Sequence, residues 1–168
     1  MKPINTLVAI LFTSLLSSPS WSAILSDLVV REGLYYDKVS NVPYTGTVIG
    51  DKQGSFKNGK KEASWIYRGI SQVRLKGRYK NGEKEGVWLY WHKYQVRFKG
   101  QYKNGKRDGD WVYWKNGRVS LKGHYKNGEQ YGAAVGYSED GTVNKVAQEN
   151  FKDAIKISDL VISTLTKG

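Results

Sequence analysis

Two histidines and two recurring pairs of acids are the first side chains to test for catalysis or metal binding. His92 and His124 have the chemistry of general bases or metal ligands, and Glu83/Glu85 and Asp108/Asp110 that of paired carboxylates. Chemistry also needs an orienting partner and a pocket. The two histidines stand at different offsets within the internal period of the chain, and neither has metal-ligand spacing to another candidate. The acidic pairs recur in successive segments beside lysine-rich turns, where alternating charge solvates a strand. A catalytic carboxylate pair would not be expected in duplicate. No glycine-rich loop opens a helix, so the glycines read as turn glycines and not as a phosphate cradle. The chain has no cysteine, hence no disulfide framework, no lipid-modified cysteine and no thiolate metal site. The expectation is a protein without catalytic activity, cofactor or metal.

What the sequence does repeat is a block, Gly-x-Tyr/Phe-Lys-Asn-Gly, starting at Gly54, Gly77, Gly100 and Gly123, with starts 23 residues apart. A fixed short period marks an array in which each unit buries its apolar face only against its neighbours. Asn-Gly between β-favouring aromatic runs is a hairpin signal, because a type I′ turn needs positive φ at both central residues. The glycines of these turns are Gly59, Gly82, Gly105 and Gly128. Each repeat is then one β-hairpin. Trp65, Trp88 and Trp111 recur at one offset and Tyr67, Tyr90 and Tyr113 two residues later, on the same strand face, predicting ladders of stacked rings. Trp91, Trp114 and Tyr137 fall on the opposite face. Gly86, Gly109 and Gly132 are expected to let a neighbouring ring approach closely. The fold class predicted is all-β: an elongated single-layer antiparallel meander of tandem hairpins, with a diverged N-terminal cap and a short C-terminal tail.

Residues 1–22 read as an export signal: Met1-Lys2 is a small positive start, Leu7 to Leu16 a short apolar core, and Ser20-Trp21-Ser22 a small-residue cleavage site. The mature protein is expected outside the cytoplasm, with the periplasm preferred to the cell exterior. Leu160 to Leu165 is too short for a membrane anchor. Residues 23–53 are predicted to form a cap hairpin from Gly33-Leu-Tyr35-Tyr36 and Pro43-Tyr44-Thr-Gly46-Thr-Val48. Four repeats follow at 54–76, 77–99, 100–122 and 123–149, the outer ones degenerate at Ala63 and Ala134. The second turn of the first repeat is Arg68-Gly69-Ile70, without Asn-Gly. A degenerate fifth copy is expected near Asn150-Phe151-Lys152-Asp153-Ala154 within a final segment 150–168. Residues 158–168 suit either a short amphipathic helix or an end strand.

The net charge is +12, and residues 52–126 hold 20 Lys/Arg against five Asp/Glu, so the basicity belongs to the repeats. Lys57, Lys80, Lys103 and Lys126 each precede an Asn-Gly and should form a row along one edge. That row suits an anionic lipid or another polyanion, or simply keeps a thin sheet in solution.

These blocks resemble MORN repeats in their bacterial variant, whose unit runs Tyr-Lys-Asn-Gly-Lys-x-x-Gly-x-Trp-x-x-Tyr. The resemblance is strong over residues 54–141 and loose over 33–157. Its departures are Ala63, Ala134, Ala154 and the missing second Asn-Gly of the first two copies. The layout is also similar to that of exported bacterial MORN-motif proteins, some of them labelled YwqK-type antitoxins. The resemblance implies protein–protein or membrane-lipid association and transfers no catalytic residue. The preferred partner is another envelope protein, captured by a scaffold whose candidate surface is Trp91, Trp114 and Tyr137 with the lysine row. The alternatives are an anionic lipid or polyanion and, because Trp-x-Tyr repeats are also similar to glycan- and choline-binding wall modules, a cell-wall glycan. Nucleic acid suits the charge and the rings, but an exported protein seldom meets it. The oligomeric state is left open.

Overall fold

A computed structural model describes residues 22–70, 72–144 and 147–167. The export signal read at 1–22 lies outside them except for Ser22. The chain order is β1 (Ser22–Ile24), a 3-10 turn (Leu25–Asp27), β2 (Leu28–Arg31), β3 (Leu34–Asp37), β4 (Gly46–Ile49) and β5 (Lys52–Lys57). It continues with β6 (Lys60–Gly69), β7 (Gln72–Lys80), β8 (Glu83–His92), β9 (Gln95–Lys103), β10 (Lys106–Arg107) and β11 (Gly109–Lys115). Last come β12 (Arg118–Lys126), β13 (Glu129–Gln130), β14 (Val135–Tyr137), β15 (Val143–Asn144) and one helix, α1 (Ala147–Thr166). From β4 to β15 the strands form one antiparallel meander in the order β4-β5-β6-β7-β8-β9-β11-β12-β14-β15, with the short β10 and β13 pairing only β9 and β12, and β1 adds to the edge parallel to β4. The all-β meander is therefore the observed architecture.

The Asn-Gly turns take the left-handed pair of dihedrals that a type I′ turn demands: φ is 53° and 87° at Asn81-Gly82, and 50° and 74° at Asn104-Gly105. The second repeat lacks its second Asn-Gly, yet Lys93 and Tyr94 adopt the same geometry, at φ 49° and 61°. Strand pairing on both sides over-determines that turn.

The rings do not stack as ladders of like residues. They alternate edge to face, the motif tyrosine of one repeat between two tryptophans. Trp65–Tyr79, Tyr79–Trp88, Trp88–Tyr102 and Tyr102–Trp111 have ring centroids 6.0, 5.2, 5.9 and 5.4 Å apart and planes 70–83° from parallel. Trp65, Trp88 and Trp111 are fully buried. Aromatic quadrupoles favour this edge-to-face chain over face-to-face stacking.

The motif glycines, not the later ones, are where the rings come close. A Cβ on Gly54, Gly77 or Gly100 would lie 2.2–2.3 Å from the indole of Trp65, Trp88 or Trp111. Gly86 and Gly132 have nothing within 4 Å of a Cβ position, and their φ values are 65° and 77°. They are needed for backbone shape: at Gly86 the β7/β8 register shifts, and the bulge folds the Trp88 indole over Gly77, the first glycine of its own repeat.

Both ends depart from the sequence reading. Gly33-Leu-Tyr35-Tyr36 does not form a hairpin with residues 43–48. It belongs to a separate two-stranded sheet, β2–β3, turning at Glu32-Gly33, and touches Pro43 only by an isolated bridge. The fifth hairpin expected at Asn150–Ala154 is α-helix, as is nearly all of 158–168. Phe151 follows Tyr125 by 26 residues and so breaks the 23-residue register. The apolar positions 151, 154, 155, 161, 162 and 165 follow the 3.6-residue period instead. The helix packs on the ring-bearing face, so the sheet is not a bare single layer. Phe151 is fully buried, with its ring 2.1 Å from where a Cβ on Gly123 would be. It occupies the place of the tryptophan that the fourth repeat lacks at Ala134.

Candidate binding surfaces

Three cations recur under α1 at the 23-residue period: Lys61, Lys84 and Arg107. Each side chain points along the ring face and lies over its repeat's tryptophan. The cation-to-centroid distances are 4.9 Å for Lys61 on Trp65, 5.9 Å for Lys84 on Trp88 and 4.4 Å for Arg107 on Trp111. Four rings surround the Lys61 ammonium within 6 Å. Lys61 and Arg107 are both buried.

The helix supplies the polar partners. Arg107 pairs with Asp159 and donates to Ser158 Oγ at 3.2 Å, and Ser158 Oγ also meets the Tyr113 hydroxyl at 3.2 Å. Lys61 donates to the Thr166 carbonyl at 2.9 Å, and Lys52 to the Lys167 carbonyl. The negative end of the helix dipole thus rests on two lysines. Burial pushes the Lys61 ammonium down to about 8, with Lys52 and Lys84 adding repulsion. Burial also lowers Lys84, against a partial pull upward from Asp159. Burial favours the neutral form of Arg107 and is the largest single influence on it, but the Asp159 carboxylate together with Tyr102, Tyr113 and Tyr125 outweighs it and the guanidinium ends above its ordinary value. Sequence reasoning missed this inward column. Its signal was present: the residue after Asn-Gly-Lys/Glu is Lys61, Lys84 and Arg107 in the first three repeats, and Gln130 in the fourth.

The acids have structural partners. Glu62, Glu85 and Asp108, also 23 residues apart, accept the backbone N–H of Asn81, Asn104 and Asn127 in the next turn at 2.7, 2.9 and 3.3 Å. Gly82, Gly105 and Gly128 donate to the carbonyls of Lys61, Lys84 and Arg107. Each hairpin is thereby clamped to the next. The equivalent acids are Glu85 and Asp108, so Glu83/Glu85 and Asp108/Asp110 do not occupy matching offsets. His124 meets Asp110 at 2.8 Å on the exposed surface, and His92 is exposed at the end of β8. No group of three or more potential metal ligands occurs among the described residues.

Lys57, Lys80, Lys103 and Lys126 are all exposed, each closing a strand at the edge that bears the Asn-Gly turns. Trp91, Trp114 and Tyr137 are half-buried and lie toward the opposite edge, near the ends of β8, β11 and β14. The lysine row and the second aromatic set are therefore not one surface. Trp91 shares a shallow pocket with Arg68, Val73 and Tyr94, and Tyr137 one with Arg118 and Val119. Trp114 lines a cleft beside α1. Of the structural set, Tyr67 and Tyr113 are buried and Tyr90 is half-buried, stacked on Phe98 at 5.2 Å. Gly82, Gly105 and Gly128 sit in the clamped turns, and the Gly59 N–H donates instead to the Tyr44 carbonyl. No helix among the described residues is long and apolar enough to cross a membrane.

No protein-family model matches the chain, and neither does any curated protein or solved structure.

Proposed function

We propose that this chain is a non-catalytic, exported interaction scaffold of the cell envelope, built from MORN-type repeats, that holds another envelope protein along its aromatic edge. The observation that carries the reading is the column Arg68, Trp91, Trp114, Tyr137, one residue per repeat, with Arg68 exposed and the three rings half-exposed while α1 covers the ring face. Tyr, Trp and Arg are the residues around which interfaces concentrate binding energy, and here they flank shallow pockets spaced by the repeat. The inter-repeat clamps hold that spacing rigid, which lowers the entropy cost of binding. Residues 23–168 carrying Trp91→Ala and Tyr137→Ala should lose a partner that the unmodified protein retains from envelope extracts at high salt. Unchanged retention would overturn this reading.

A second reading has its own observation, the exposed lysine row on the other edge. Each lysine beside an anionic surface contributes about 1 kcal/mol, so four engaged together give about 4 kcal/mol, or roughly millimolar binding. Co-sedimentation with anionic vesicles that vanishes at high salt would support it, and no binding at low salt would assign those lysines to solvation.

A further inference from the structure

Beside α1 lies a half-open cleft of about 350 Å³ between the helix and strands β8, β9, β11 and β12. Tyr90, Phe98 and Leu121 form its sheet wall, and Ala154, Ile157 and Val161 its helix wall. Ile157 stands 64% exposed at the helix side, an apolar side chain with no cover. The cations lining the cleft are Arg97 and Lys115, with His92 beside them, and no carboxylate lines it.

Arg97 has a history in the repeat that explains why it is free. It is the extra residue of the β9 bulge opposite Tyr90/Trp91, matching Arg74 one repeat earlier and Ser120 one repeat later. Arg74 is spent on the next repeat's tyrosine, 3.4 Å from the Tyr90 hydroxyl and over its ring. The corresponding tyrosine for Arg97 is Tyr113, whose hydroxyl meets Ser158 of the helix instead. Among the described residues neither Arg97 nor Lys115 has an ion pair or a side-chain hydrogen bond. The seating of α1 thus does two things at once: it closes an apolar cleft and releases a guanidinium at its wall.

We propose that this cleft binds a single-chain anionic amphiphile such as a fatty acid, its acyl chain between α1 and the sheet and its carboxylate on Arg97 and Lys115. An apolar lining with a few convergent polar groups is the ordinary make-up of a ligand site, and the volume falls at the small end of the usual ~300–1,000 Å³, enough for one chain. Arg97 offers the carboxylate a planar two-pronged donor. The proposal is independent of the scaffold and of vesicle binding by the lysine row, because monomeric ligand is its object.

Dodecanoate below its micelle concentration, titrated into residues 23–168, would test it by calorimetry and by a change in tryptophan fluorescence that Trp114→Phe, at the cleft lining, should diminish. The expected result is saturable one-to-one binding, at least tenfold tighter than for dodecyltrimethylammonium or methyl dodecanoate. Arg97→Gln should weaken dodecanoate roughly tenfold, and Ala154→Phe, which fills the cleft, should abolish it. Absence of saturable binding, equal affinity for the cationic amphiphile, or indifference to Arg97→Gln would each overturn the proposal. The ligand comparison needs no variant, so a folding defect in Ala154→Phe leaves the test intact.

Discussion

Ala63 holds a left-handed backbone, φ 58°, at the position where the later repeats place Gly86, Gly109 and Gly132. An L-residue with a Cβ pays about 1–2 kcal/mol for that region. The bulge that tucks Trp65 over Gly54 requires it, so the strain is retained. Ala63→Gly should therefore raise stability by about 1 kcal/mol, read as a higher urea midpoint with an unchanged slope. An equal or lower midpoint would show that the alanine's packing outweighs its strain. Residue chemistry also explains the acids. Glu62, Glu85 and Asp108 are fixed by the orphan N–H of the next turn, a need that turn geometry creates and that catalysis does not.

At the scale of the element, α1 is the part of the molecule that completes the array. A 20-residue helix is about 30 Å long, comparable to six strand spacings of ~4.8 Å, so it reaches from the fourth repeat back to the first. Phe151 anchors one end against Tyr113 and Tyr125, at ring distances of 5.8 and 6.1 Å. The Thr166 and Lys167 carbonyls anchor the other end on Lys61 and Lys52. Phe151→Ala should destabilise by about 3–5 kcal/mol, as deletion of a fully buried ring does. Hydrogen exchange should then report loss of protection in α1 and in β12. Protection unchanged in both would mean that the fourth repeat closes without the helix.

The whole molecule gathers the buried Lys61 and several buried tyrosines on one face, and this sets its response to pH. Lys61 titrates near 10.5 in the unfolded chain and at about 8 when folded, because burial disfavours its charge. Between these values the unfolded chain binds more protons, so stability rises as pH increases from about 8 toward 10. Its contribution is on the order of 2 kcal/mol. Burial acts oppositely on the phenols: Tyr79 is pushed up to about 12, and Tyr67 and Tyr113 are pushed up as well. Unfolded tyrosines ionise near pH 10 while the folded ones stay neutral, so stability falls above that pH. Urea midpoints measured from pH 7 to 11 should pass through a maximum between 9 and 10, and Lys61→Met should flatten the rising limb. A monotonic fall from pH 7 would contradict the burial of Lys61.

Much of this fold was legible in the sequence because a 23-residue period leaves few solutions. Asn-Gly fixes the I′ turns, the turns fix the hairpins, and the hairpins fix which tryptophans share a face. Periodicity alone also contained the inward column Lys61, Lys84, Arg107 and the clamp Glu62, Glu85, Asp108, since both recur at one offset. What periodicity could not carry was whatever breaks the register. Phe151-Lys-Asp-Ala mimics Tyr-Lys-Asn-Gly locally, and only the packing vacancy over Gly123, left by Ala134, draws that segment onto the sheet as a helix. The roles of the glycines were likewise undecidable along the chain, because close approach and positive φ demand the same residue. Tertiary contact separates them: an indole lies against Gly77, and nothing lies against Gly86. The cleft beside α1 and the free Arg97 exist for the same reason, as consequences of a helix meeting a sheet, a long-range contact that short-range pattern does not encode.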